Sequence, residues 1–185
     1  MSSLLPIDLP TQFETERLLV RSPLPGDGMA LYEAICASLP QLRAWPTSLL
    51  WAQAEPCPQR AEQNCCEALA KWQRGEDLWM LIWDKQSGQL AGCSGLHQLN
   101  WAMRRGEIGW WGNTPLLGQG RIREAVRGVL DFAFSRCAMR RVSCVTHVDN
   151  LRSRHLAEQA GMLQEGVLRA WYPDGDAMLY GCVAP

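Results

Sequence analysis

Apolar positions along this chain recur at two spacings, and the switches between them mark out its elements. Residues 78–83 (LWMLIW) form an unbroken apolar run of strand length, which predicts a strand covered on both faces. Lys85, Gln86, Ser87 and Gly88 then read as a hairpin turn into a second strand over 89–97. Further strands are predicted over 15–22, 104–112, 141–148, 163–171 and 177–183, the last two pairing around Pro173-Asp174-Gly175-Asp176. Helical spacing appears in four places. After Pro25 and Asp27, the residues Met29, Leu31, Tyr32, Ile35 and Cys36 fall on one side of a helix. Ala61, Cys65, Ala68, Leu69 and Trp72 mark a second helix that ends near Gly75, and the stretch between, 38–58, reads as irregular because of Pro40, Pro46, Pro56 and Pro58. The long helix over 120–136 turns Ile122, Ala125, Val126, Val129 and Ala133 inward, and a short one over 153–161 is stopped by Gly161. The order is β-α-α-β-β-β-α-β-α-β-β, a mixed α/β fold with one meander and one strand–helix–strand crossover.

Composition narrows the class. With 185 residues, 47% hydrophobic and 20% charged, the chain suits one globular domain with a core over about 15–183. A net charge of −1 gives no reason to expect nucleic-acid or membrane-surface binding, and no apolar run reaches the roughly 18 residues of a membrane span. The opening MSSLLPIDLPTQFETERLL lacks a basic start and carries Pro6 and Pro10, so no export signal is expected. The eight cysteines include no CxxC pair, and the three histidines do not fall at zinc-finger spacing, which predicts reduced thiols, no metal and a cytoplasmic protein. Nine tryptophans are the compositional oddity, and most are expected in the core.

Residues 107–126, EIGWWGNTPLLGQGRIREAV, carry the most specific chemistry. They run from an apolar strand through an Asn-Thr-Pro turn into Gly118-Gln119-Gly120 and then straight into a helix. Glycines at a helix mouth let the backbone approach a bulky ligand, and the unpaired N–H groups of the first turn, backed by the helix dipole, favour a phosphate or pyrophosphate. A second block, 146–169 (THVDNLRSRHLAEQAGMLQEGVLR), places Asp149, Asn150, Arg152 and Ser153 between a strand end and a helix start.

Together, EIGWW, GQG at a helix mouth, VDNLRSRHLAEQAGM and LQEGVLR resemble the GNAT superfamily of acyl-CoA-dependent N-acyltransferases, and within it the RimJ/RimL-type ribosomal-protein N-acetyltransferase branch. The segment SLPQLRAW resembles that branch more loosely. The resemblance implies the GNAT fold, a mostly antiparallel sheet of about seven strands with helices on both faces. It implies acetyl-CoA as cosubstrate, its pyrophosphate on the loop formed by Leu117, Gly118, Gln119, Gly120, Arg121 and Ile122, with Arg121 and Arg123 adding cations. Pro115 departs from the family, where a Gln or Arg often precedes the loop. Asn150 is implied as a contact to the pantetheine arm, the alternative being a helix cap. Glu107 is the candidate base, against a salt bridge to Arg104 or Arg105. Ser153 is the candidate acid for the leaving thiolate, against the helix N-cap. Trp45, Trp51, Trp101 and Trp171 come from segments that flank the family's acceptor groove, and as a set suggest an aromatic-lined acceptor site. The implied activity is acetyl transfer from acetyl-CoA to a primary amine, first a protein N-terminal α-amine of the ribosomal-protein-alanine type. Two alternatives are a small amine, amino-acid derivative or antibiotic as acceptor, and a non-catalytic acyl-CoA-binding module. A homodimer is common in the branch, but no seam for one is visible in the sequence.

Overall fold

A computed structural model describes residues 9–185. The absence of an export signal is read largely from residues 1–8, which lie outside the described residues. The chain forms β1 (Gln12–Glu14), β2 (Leu18–Arg21), α1 (Gly28–Arg43), α2 (Pro58–Arg74), β3 (Leu78–Asp84), β4 (Leu90–Asn100) and β5 (Arg105–Gly112). It continues with α3 (Arg121–Ser135), β6 (Arg141–His147), α4 (Leu151–Gln159), β7 (Leu163–Tyr172) and β8 (Gly175–Val183). The strands make one sheet in the order β1-β2-β3-β4-β5-β6-β8-β7. Every neighbouring pair is antiparallel except β5–β6.

The sheet has eight strands rather than about seven, because residues 12–21 fold as a hairpin instead of one strand. Thr15 N–H bonds Leu18 O, and the Glu124 carboxylate of α3 accepts from Thr15 Oγ1 and from Arg17 N–H and Nε. Each face of the sheet carries helices. On one face α3 and α4 close over Leu18, Met80, Leu96, Ile108 and Val142, and all five residues expected to point inward from α3 are buried. On the other face α1 and α2 close over Leu81, Leu90 and Cys93. The buried stripe of α1 is Gly28, Leu31, Ala34, Ser38 and Leu42, while Met29 and Cys36, expected inside, are exposed. The small residues face inward because α2 crosses close by: a Cβ on Gly28 would stand 2.5 Å from the Glu62 backbone. The helix also runs a turn past Pro40, with Leu42 buried and Arg43 Nε bonded to Ala52 O. Gly161 follows α4 as expected, with Met162 N–H bonding back to Ala157 O. All eight cysteines are free, and four of them, Cys65, Cys93, Cys137 and Cys144, are buried.

At the far edge, β7 pairs only with β8 and slips register twice, between Gln164 and Gly166 and again between Leu168 and Tyr172. Ala170 sits there at φ 50° and donates its N–H to Asp176 Oδ1.

Candidate active site

The site begins where the one parallel pairing stops. β5 and β6 are in register only at Arg105–Arg141, Gly106–Val142 and Glu107–Ser143, although β5 continues to Gly112 and β6 to His147. Each strand then follows its other neighbour. β5 stays registered with β4 up to Gly112, and Asn113 extends the tie through its N–H to Ala91 O and its side-chain amide to Leu90 O. β6 is registered with β8 along its whole length. The result is a fork whose apex holds Glu107 and whose arms carry unpaired strand edge.

On one side of the fork the glycine loop and α4 enclose a cleft of about 550 Å³. Gly118 at φ 85° and Gly120 at φ 75° take left-handed backbone that side chains with a Cβ adopt only under strain. Gly120 stands at the start of α3, and no side chain caps that end, so the first-turn N–H groups face the cleft with the positive end of a 15-residue helix behind them. Leu117, Gly118, Gln119, Gly120 and Ile122 line the cleft as expected. Arg121 also lines it, yet its guanidinium is turned away: Nε bonds Asp84 Oδ2 at 2.5 Å and Nη1 bonds Gln119 Oε1. Its charge is thus partly engaged by a buried carboxylate at the rim of the cleft. Asp84 is 3% exposed, and the Arg121 hydrogen bond, with help from Ser87, holds its carboxyl down at about 2. Arg17 Nη1 clasps the loop from outside through Gln119 O. The other cations facing the cleft are Arg123 and, across it on α4, Arg152, with the His155 ring one turn further along. Among the described residues no carboxylate lines it.

Glu107 is half-buried, and burial raises its carboxyl above the usual range, offset in part by His97 on the paired position of β4. Among the described residues its carboxylate has no ion pair or hydrogen-bond partner; Arg104, one expected partner, instead gives its Nε to Ala138 O. Ser143, its partner on β6, lies across the fork, and burial pushes the neighbouring Cys144 thiol to about 12. Such a thiol supplies no nucleophilic thiolate at neutral pH.

Asn150 caps α4, its Oδ1 accepting from Ser153 N–H at 3.2 Å. Ser153 is therefore the third residue of the helix and not its cap, and its Oγ bonds no other described side chain or backbone group. The cap uses only the amide oxygen, leaving Asn150 Nδ2 as a donor.

A second cavity, of about 380 Å³, lies between α1, α2 and the β3–β5 part of the sheet. Trp51, Trp79, Trp110 and Trp111 line it, with Leu31 and Ile35.

A family model described as acetyltransferase (GNAT) domain matches residues 17–163. The chain belongs to the GNAT acetyltransferase family. YdaF of Bacillus subtilis, named provisionally as a ribosomal N-acetyltransferase, is 29% identical over 160 residues, covering 83% of this chain and 82% of that protein. The ribosomal-protein-serine acetyltransferase of Escherichia coli is 25% identical over 139 residues, 75% of either chain. Among solved structures, RimL, a ribosomal-protein acetyltransferase in complex with coenzyme A, superposes with a TM-score of 0.82 over 95% of this chain and 97% of that one. At 19% identity, that likeness shows the fold.

Of the α4 residues that line the cleft, Arg152 alone stands out in the sequence. Arg152, His155, Leu156 and Gln159 face the cleft together, and their i, i+3, i+4, i+7 spacing was the signal that could have found them. Only Trp72 of the nine tryptophans is buried; most of the others pack half-exposed against the core's margins. Of the four expected around an acceptor, Trp51 lines the second cavity. Trp101 instead gives its Nε1–H to Gly75 O, Trp171 is exposed, and Trp45 lies over His147, which in turn stacks on Tyr172. Thr47 Oγ1, donating to Asp174 Oδ1 at 2.6 Å, ties the end of the α1 region to the β7–β8 turn.

Proposed function

We propose that this N-acetyltransferase moves the acetyl group of acetyl-CoA to the N-terminal α-amine of a protein or peptide, by direct attack within a ternary complex. The observation that carries the reading is the fork: an unpaired, half-buried carboxylate at its apex and a cationic, uncapped helix start beside it. The cleft fits a CoA headgroup, since helix N–H groups, Arg123, Arg152 and His155 face it without an opposing carboxylate. Unpaired strand edge in the fork offers backbone partners to an amide-bearing arm such as pantetheine, with Asn150 Nδ2 as a further donor.

Glu107 then takes the proton as the amine nitrogen bonds to the thioester carbonyl carbon, directly or through a water. The carbon–sulfur bond breaks, and the leaving thiolate takes a proton from Ser153 Oγ, which solvent replaces. An α-amine is the easier acceptor: with a pKa near 8 it is about one-tenth neutral at pH 7, against less than about one part in a thousand for lysine. The relatives are named for ribosomal acceptors, and RimL is an alpha-N-protein acetyltransferase, which supports an N-terminal acceptor. An acetyl-CoA donor and eight free thiols fit a cytoplasmic setting.

Acetyl-CoA at a hundred times its dissociation constant should stabilise the chain by about 2.7 kcal/mol, a rise in Tm of roughly 5–10 °C. An unchanged Tm would remove the donor assignment. Release of CoA thiol is then followed with peptides bearing a free N-terminus or only a lysine amine. Turnover on lysine peptides alone would reject the α-amine reading. Ser153→Ala should lower kcat on the order of tenfold, less than a general acid usually contributes, because a thiol of pKa about 8.5 already leaves readily. Its Tm should stay put, since the cap belongs to Asn150.

A further inference from the structure

The 380 Å³ cavity under α1 and α2 shares no lining residue with the glycine-loop cleft. It nevertheless adjoins the fork. Its floor is the stretch of β4 and β5 that includes His97, Gly109 and Trp111, and His97 is the residue directly opposite Glu107. Directly opposed residues of an antiparallel pair project to the same face, about 5 Å apart. The cavity therefore opens beside the candidate base, on the sheet face away from α3. Its walls are unusually aromatic, with Trp51 against Trp111 at 6.0 Å between ring centroids. Its polar end is Asp77, whose Oδ1 is shut off from solvent 2.9 Å from His97 Nδ1. Glu67 and Asp77 face Lys71 and His97 among the titratable lining residues, so no excess of positive charge opposes the approach of an ammonium group.

We infer that this cavity receives the side chain of the acceptor's first residue, so that the enzyme selects α-amines whose carbon bears a large apolar or aromatic group over those of alanine or serine. The inference rests on the N-terminal-amine reading above and names its substrate class. A methyl or hydroxymethyl group would leave much of this apolar wall against water, whereas a Trp, Phe or Leu side chain replaces that water. The volume lies in the range of pockets that enclose a small ligand group.

The test uses the full chain, acetyl-CoA and a set of tetrapeptides that differ only in a first residue of Trp, Phe, Leu, Ala or Ser. The kcat/KM for the three large residues should exceed that for Ala and Ser by at least roughly tenfold. Ala68→Leu, which projects into the cavity from α2, should shrink that ratio, and so should Trp51→Ala, which removes a half-exposed wall. Folding of both variants is checked by the acetyl-CoA thermal shift. Equal or better turnover of Ala and Ser peptides overturns the inference and leaves the N-terminal reading standing, as does a large-to-small ratio untouched by both variants. Failure to acetylate any of the five peptides overturns both.

Discussion

Glu107→Gln lowers kcat by roughly a hundredfold or more while the acetyl-CoA thermal shift is retained. The magnitude is that of a lost general base, and the isosteric amide keeps the packing at the fork. The pH profile separates this role from a structural one. Glu107 works as a base only when ionised, so kcat/KM should climb as pH rises through its carboxyl pKa, which burial holds above the ordinary range. That acid limb should vanish in the amide variant. The stability sign is opposite to the activity sign. A carboxyl whose folded pKa is raised contributes stability below its unfolded pKa and loses it as pH rises through the folded one. At neutral pH the charged form is thus the less comfortable one, and Glu107→Gln should melt no lower than the parent. A variant that lost Tm in step with kcat, or kept the acid limb, would take the base role away from Glu107.

Arg121→Ala should cost about 3–5 kcal/mol, because it leaves Asp84 buried without its cation. For a chain of this size that is a fall in Tm of roughly 6–20 °C. Acetyl-CoA affinity should fall as well, although the guanidinium points away from the cleft, since Arg121 also holds Gln119 of the glycine loop. The acid side gives a second readout. Asp84 has its pKa lowered to about 2, so its contribution is present above the unfolded value near 3.9 and drains away as pH falls toward 2. Acid melts of the parent should show that loss, and Arg121→Ala should flatten it. Replacing both partners, Asp84→Leu with Arg121→Met, should recover much of the Tm, because neither charge is then stranded. A Tm within a degree of the parent in Arg121→Ala would show that the pair does not hold the loop.

Much of this was written in the local pattern. The long helix announced itself by Ile122, Ala125, Val126, Val129 and Ala133, and Gly118 and Gly120 by their place at its mouth. The hairpin at the N-terminus was not legible, since β1 is three residues long and mostly exposed; it is held by Glu124, more than a hundred positions away. The inward face of α1 was misread for a related reason. Periodicity points to the larger apolar residues, whereas the closeness of α2 keeps Gly28 and Ala34 there, and Ser38 is turned in to bond Thr114 N–H and Gly112 O. At the site, Glu107 and the α4 start could be placed from motif alone. The buried partner of Arg121 could not, because Asp84 lies 37 positions upstream and nothing local marks it. The tryptophans had to be seen in place, for half-burial on a cavity wall and burial in a core look alike in sequence.

The two register slips of β7 bear on life at high concentration. A sheet margin with Leu163, Val167 and Trp171 exposed offers what an unfolding neighbour could seize and extend into a fibre. The slips and the left-handed Ala170 break the run of free backbone groups into pieces too short to template a foreign strand. Straightening that margin, by removing the unpaired residue Glu165, would yield a molecule that precipitates sooner.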